Sequence, residues 1–157
     1  MDFLRKKLDH IGFYIVNEET KIHLSERNSN LIDFDYLCGM SVAVVILNYN
    51  GRKFLADFLP IVLENTQDAT IYVADNGSSD DSLALLAADF PSVSVLSWAE
   101  NLGYAGGYNF ALGQIKADYF VLMNSDIAPR KNWLQPLVSY FEAHPLIAAA
   151  QPFLLDY

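Results

Sequence analysis

The stretch from Ser41 to Gly51, SVAVVILNYNG, decides the fold. Its first seven residues form a continuous apolar run rich in β-branched side chains, the mark of a strand buried on both faces. Strands of that kind belong to parallel sheets covered by helices. The polar turn NYNG ends the run at once.

Moving toward the C-terminus, Phe54, Leu55, Phe58, Leu59, Val62 and Leu63 recur at helical spacing, with Pro60 predicting a kink or a late start. TIYVAD (70–75) reads as a second strand, NGSSDDS as a turn with N-cap chemistry, and LALLAADF (83–90) as a second helix. VSVLSW (93–98) is a third strand, and the Gly-rich NLGYAGGYN leads into a helix expected to reach about Lys116. DYFVLMN (118–124) is a fourth strand, WLQPLVSYFEAH (133–144) a helix whose Trp133, Leu134, Leu137 and Phe141 face a core, and AAAQPFLL the start of a further strand. Strands alternating with helices of about ten residues imply right-handed βαβ units. The expected class is α/β, a Rossmann-like, mostly parallel sheet flanked by helices.

On the N-terminal side the pattern fades. Residues 1–39 are a leader or extension, with room for one short amphipathic helix (Phe3, Leu4, Leu8, Ile11, Phe13) and a short strand at GFYIV (12–16). NEETKIHLSERNSN reads as solvated chain. Orderly patterning begins near Met40, so residues 40–157 form the working unit, with Met40 the favoured natural start.

The whole chain has 157 residues, enough for one packed core. With 52% hydrophobic and 18% charged residues it is not a disordered protein. Nineteen acidic against ten basic residues argue against a nucleic-acid surface, which needs clustered Lys and Arg. A lone Cys38 excludes an internal disulfide and a cysteine zinc site, and suits a reducing compartment such as the cytoplasm. No apolar run approaches the roughly 20 residues of a membrane span, and MDFLRKKLDH is no secretory signal.

In an open parallel sheet, ligands sit outside the carboxyl ends of the strands. Here those ends are polar four times over: Asn48-Tyr49-Asn50-Gly51, Asp75-Asn76-Gly77-Ser78, Glu100-Asn101 and Asn124-Ser125-Asp126. Each alone has a plain structural reading. Asp75 to Ser78 resembles a turn and helix cap, Asp126 can cap the next helix, and the glycines after Asn101 can be mere loop. A dinucleotide fingerprint is not supported, because the run lacks GxGxxG spacing and follows the wrong strand. Ser78 and Ser79 lack a nucleophile-elbow context, and His10, His23 and His144 are scattered. Four polar ends in succession nevertheless describe one convergent edge for a polar ligand.

The stretches VAVVILNYNG, VADNGSSDDS, ENLGYAGGYNFAL and YFVLMNSDI, in that order, strongly resemble the nucleotide-sugar-binding half of a family 2 glycosyltransferase of GT-A fold. The likeness covers about residues 41–157 and is greatest to the rhamnosyltransferase-like bacterial group that builds cell-surface polysaccharides. It implies that Tyr49 packs on a nucleobase, with Asn48, Asn50 and Asn76 in the same donor-binding loops. It implies that Asp75 accepts a hydrogen bond from N3–H of uracil or thymine. Asn101, Gly103 and Asn109 would lie near ribose and sugar. The family's Asp-x-Asp stands here as Asn124-Ser125-Asp126, so Ser125 and the single carboxylate of Asp126 would meet the diphosphate and a divalent cation, Mg²⁺ or Mn²⁺.

The implied activity is inverting transfer from a UDP- or dTDP-sugar to a carbohydrate or lipid-linked saccharide acceptor, in the cytoplasm or peripherally at the inner membrane face. The family's acidic base lies beyond this point in the acceptor-binding half, so the sequence reads as truncated. On that expectation the 157-residue chain is a nucleotide-binding fragment, marginally stable and inactive in transfer. A sugar-phosphate nucleotidyltransferase fits less well, since its Gly-rich basic loop is not present after the first strand.

Overall fold

The computed structural model describes residues 13–17 and 40–152. The elements run β1 (Phe13–Asn17), β2 (Val42–Asn48), α1 (Arg52–Asn65), β3 (Thr70–Asn76), α2 (Ser82–Asp89), β4 (Ser94–Trp98), α3 (Gly103–Leu112), β5 (Tyr119–Asn124), α4 (Leu134–Ala143) and β6 (Ala149–Ala150). One sheet takes them in the order β4-β3-β2-β5-β1-β6. The four strands β4, β3, β2 and β5 are mutually parallel. The α/β expectation therefore holds.

β2 lies at the centre because its sequence can be buried on both sides. Val42, Val44 and Ile46 face one layer with Ile71, Val73, Val121 and Met123, and this layer receives α1, α2 and α4. Ala43, Val45, Ala74, Phe120 and Leu122 face the other, against Tyr108 and Ala111 of α3. In α1, Leu55, Leu59 and Val62 form the buried stripe, each stabilising the fold by about 1.5–3 kcal/mol. The helix starts at Arg52 and runs through Pro60, so the late start allowed by the sequence is not taken. α3 ends at Leu112, short of the expected Lys116, because Gly113 closes it with backbone bonds to Asn109.

β1 is the element with no counterpart in the parallel scheme. It pairs antiparallel with β5, Phe13 opposite Met123 and Asn17 opposite Tyr119, and β6 pairs antiparallel with β1 in turn. The strand expected at 12–16 thus exists, one residue later. The helix expected from Phe3 to Ile11 and the solvated run lie outside the described residues; its last member, Phe13, opens β1. At the amino ends of β2 and β5, Ser41 and Asp118 clasp each other. The Asp118 carboxylate accepts from Ser41 N (2.7 Å) and Ser41 Oγ (2.8 Å), while Ser41 O accepts from Asp118 N. This fixes the register that aligns the opposite, carboxyl ends. Among the described residues no helix is long and apolar enough to cross a membrane.

Candidate functional site

Parallel pairing sets Asn48 opposite Asp75 and Asn76 opposite Trp98, and brings Asn124 opposite Leu47. The polar strand ends found in the sequence therefore share one edge. Their side chains are fastened to each other first. Asn48 is fully buried, and its Nδ2 donates to Asp75 Oδ2 (2.8 Å) and Ser78 Oγ (3.1 Å). Asp75 is 1% exposed, and its other oxygen accepts from Ser78 N (3.0 Å). Asn48 Oδ1 is buried without a hydrogen bond, an unmet acceptor that costs about 1–3 kcal/mol.

Asn50, at φ 51°, reaches across to the second loop. Its N–H donates to Ser78 Oγ (2.9 Å), and its Oδ1 accepts from Ser79 N (2.7 Å) and Asp80 N (3.3 Å). Asp80 completes the stitching, accepting from Arg52 N and from Ser82 N, both at 3.0 Å. One carboxylate thus caps the first residues of both α1 and α2, neither of which is capped by the side chain at its own N-cap position. Partial burial raises its pKa, but hydrogen bonds from Ser82 and Arg52, with the Arg52 charge, outweigh that and leave it below the ordinary carboxylate value.

Asp80→Ala is accordingly expected to lose about 1–2 kcal/mol of stability. A depressed folded-state pKa stabilises fully above the unfolded value and is lost as pH falls through the folded one. Thermal melts of wild type and Asp80→Asn should therefore differ by a constant gap near neutrality that closes under acid, below the ordinary carboxylate pKa. A gap independent of pH would refute the capping role.

The third loop is held by Asn76, 2% exposed. Its Oδ1 accepts from Trp98 Nε1 (2.8 Å) and Leu102 N (2.9 Å), and its Nδ2 donates to Asn101 Oδ1 (2.9 Å) and Gly103 O (3.1 Å). All four of its amide valences are used. Asn101 Oδ1 also accepts from Gly103 N (2.8 Å). On the core side of α3, burial and the neighbouring Tyr104 push the Tyr108 hydroxyl well above its usual range. It stays a neutral donor to Met123 O (2.9 Å).

Over this frame lies an open groove of about 390 Å³. Tyr49 and Phe54 border it from the β2–α1 connection, each about half exposed. Asn76, Asn101, Gly103 and Tyr104 contribute from the neighbouring loops, and Asn124, Ser125 and Asp126 from the end of β5. A larger hollow of about 480 Å³, between the end of α1 and the start of α4, holds none of the strand-end residues.

Of the residues singled out in the sequence, Tyr49, Asn76, Asn101, Gly103, Ser125 and Asp126 line the groove. Asn48 and Asp75 are buried at the strand ends without lining it, Asn50 is turned to the second loop, and Asn109 stands exposed on α3 outside the lining. Sequence reasoning missed Phe54, Tyr104 and Asn124 as groove residues. Phe54 had a usable signal: it sits one residue before the Leu55–Leu59–Val62 stripe and so falls off the core-facing line. Tyr104 OH donates to Asn124 Oδ1 at 3.3 Å, a contact between residues 20 apart that no local pattern announces. Among the described residues no three His, Cys, Asp or Glu side chains group as a metal cluster. Asp126 is the groove's one carboxylate.

Comparison with known proteins agrees with this geometry. The family model described as glycosyl transferase family 2 matches residues 43–154. A glycosyltransferase of Haemophilus influenzae is 26% identical over 117 residues, covering 72% of this chain and 36% of that protein. The structure of S. aureus TarS 1-349 in complex with UDP superposes with a TM-score of 0.59 at 21% identity, over 68% of this chain and 33% of that one. The mannosyltransferase PcManGT of Pyrobaculum calidifontis, in complex with GDP-Man and Mn²⁺, gives 0.57 at 21% identity, over 65% and 32%. The chain spans about a third of the length of these proteins, and the structural likeness establishes the GT-A-type fold.

Proposed function

Since the chain belongs to glycosyl transferase family 2, we propose that its carboxyl-edge groove binds the nucleotide-sugar donor of an inverting transfer, UDP- or dTDP-linked. The observation that carries this reading is the pairing, in one groove, of two half-exposed aromatic rings with a carboxylate. Tyr49 offers a ring face to the nucleobase, a use that accounts for leaving an aromatic exposed. Asn101 and Gly103, set rigidly by Asn76, border the ribose and sugar, and Asn109 belongs to the same side. Ser125 and Asp126 meet the diphosphate. UDP, in TarS, and GDP-Man with Mn²⁺, in PcManGT, are what similar folds hold.

The donor set fits a hard divalent cation, Mg²⁺ or Mn²⁺, because the Asp126 carboxylate and Ser125 hydroxyl are oxygen ligands that phosphate and water oxygens would complete. When bound, the cation supplies charge neutralisation at the leaving diphosphate. The protein's own part is positional. It holds the donor so that an acceptor hydroxyl, from a carbohydrate or lipid-linked saccharide, attacks the anomeric carbon opposite the diphosphate. Cell-surface polysaccharide synthesis is the setting this chemistry suits.

The test is calorimetry. Mn²⁺ should tighten UDP binding, and Asp126→Ala should abolish that gain while leaving metal-free affinity nearly unchanged. Equal UDP affinity with Mn²⁺ and with chelator would sink the assignment.

One observation favours a second reading. No other carboxylate lines the groove to deprotonate an acceptor, so the described residues constitute a nucleotide-binding module without transfer. Acceptor-dependent sugar release by this chain, assayed beside a longer form of the protein, separates the two.

A further inference from the structure

This inference rests on the donor-groove reading above and concerns residues that the reading leaves without a role. Asn124 ends β5 beside Ser125 and Asp126, half-buried, with its Oδ1 taken by the Tyr104 hydroxyl at 3.3 Å. A hydroxyl donor fixes which way a planar amide faces. The two N–H groups of Nδ2 are therefore the end left for the groove. The strand end presents a neutral amide donor next to a single carboxylate, within a groove that has no second acidic side chain.

We propose that Asn124 is a direct hydrogen-bond donor to the diphosphate of the bound nucleotide, that Tyr104 is its positioning residue, and that the divalent cation enters only together with the diphosphate. The charge arithmetic supports this. One exposed carboxylate is a poor site for a hard divalent cation, which needs about six oxygen ligands. A diphosphate alone meets a negative Asp126, and the amide N–H groups offset part of that repulsion. Together the dication lies between two anionic partners, so each strengthens the other's binding by the same factor. A second carboxylate at position 124 would change both halves of this arrangement. It would hold the cation without nucleotide and repel the diphosphate without cation.

The probes are Mn²⁺, followed by its paramagnetic resonance signal, and UDP, followed by calorimetry in chelator. For the wild-type chain the free Mn²⁺ signal should stay unchanged up to about millimolar protein and fall once UDP is added. Asn124→Asp, which keeps the side-chain shape, should bind Mn²⁺ without nucleotide and bind UDP in chelator about tenfold or more weakly. Tyr104→Phe, which frees the amide to turn, should weaken UDP in chelator by a smaller factor while creating no nucleotide-free Mn²⁺ binding. Wild-type Mn²⁺ binding that is indifferent to UDP would overturn the coupling. Unchanged UDP affinity in Asn124→Asp would overturn the donor role. A wild-type chain that binds no UDP under any condition removes the groove reading itself, and this inference with it.

Discussion

Asp75→Ala is expected to cost the fold roughly 2–5 kcal/mol, among the largest single effects in the molecule. The carboxylate lies at 1% exposure and accepts from Asn48 Nδ2 and Ser78 N. Removing it orphans Ser78 N–H and leaves Asn48 Nδ2 with the Ser78 hydroxyl alone, under a loop that water cannot readily enter. Asn48 already carries one unmet oxygen, so this corner has little slack. Urea unfolding should show a lower midpoint at unchanged slope; a loss under 1 kcal/mol would mean that the loops are fastened elsewhere. The same carboxylate has lone pairs to spare, and its proposed second task is to accept N3–H of a uracil or thymine. Reaching it requires the Tyr49–Gly51 turn to give way as the base enters. UDP should then bind the wild-type chain about tenfold or more tightly than CDP, whose base has no such donor. Equal affinities would leave Asp75 as a fastener only.

Gly77→Ala should be nearly as damaging, at about 2–4 kcal/mol. Gly77 has φ +77°, and a Cβ there would stand 2.8 Å from Glu100 C and 3.0 Å from Asn101 N. Those neighbours are backbone and cannot swing aside, so strain and overlap add. Gly103 supplies the control. Its φ is +72°, but nothing lies within 4 Å of its Cβ position, so Gly103→Ala should cost the left-handed strain alone, about 1–2 kcal/mol. The difference between the two melts measures the overlap. Because the displaced backbone carries Asn101, Gly77→Ala should also weaken UDP binding. Equal stability losses at the two positions would refute the account.

Much of the parallel sheet was legible because burial on both faces leaves a local signature. SVAVVIL can be nothing polar on either side, and β2 is central for that reason. The rule that ligands sit at carboxyl strand ends then located the groove from Tyr49 to Asp126 without any contact being known. The connections that make the edge rigid were not legible. Asn50 with Ser79, Asn76 with Trp98 and Asp80 with both helix starts join residues more than 20 apart or divide one side chain between two elements, and nothing in a local window records such a choice. Asp80 illustrates the limit: cap chemistry was evident in NGSSDDS, but not that one carboxylate serves two helices. Nor could the place of β1 be foreseen. A five-residue apolar run says strand, while its partner is set by which edge of the finished sheet lies open.

That place has a consequence in time. Phe13 pairs with Met123, so the strand made first cannot find its neighbour until β5 has left the ribosome, some 5–20 s later at ordinary synthesis rates of about 5–20 residues per second. During that interval β2 and β3 can already pair through a short crossover, whereas closing β1 onto β5 costs the entropy of a far longer loop. The growing chain thus assembles its parallel centre outward, and the first-born strand is the last to be laid down.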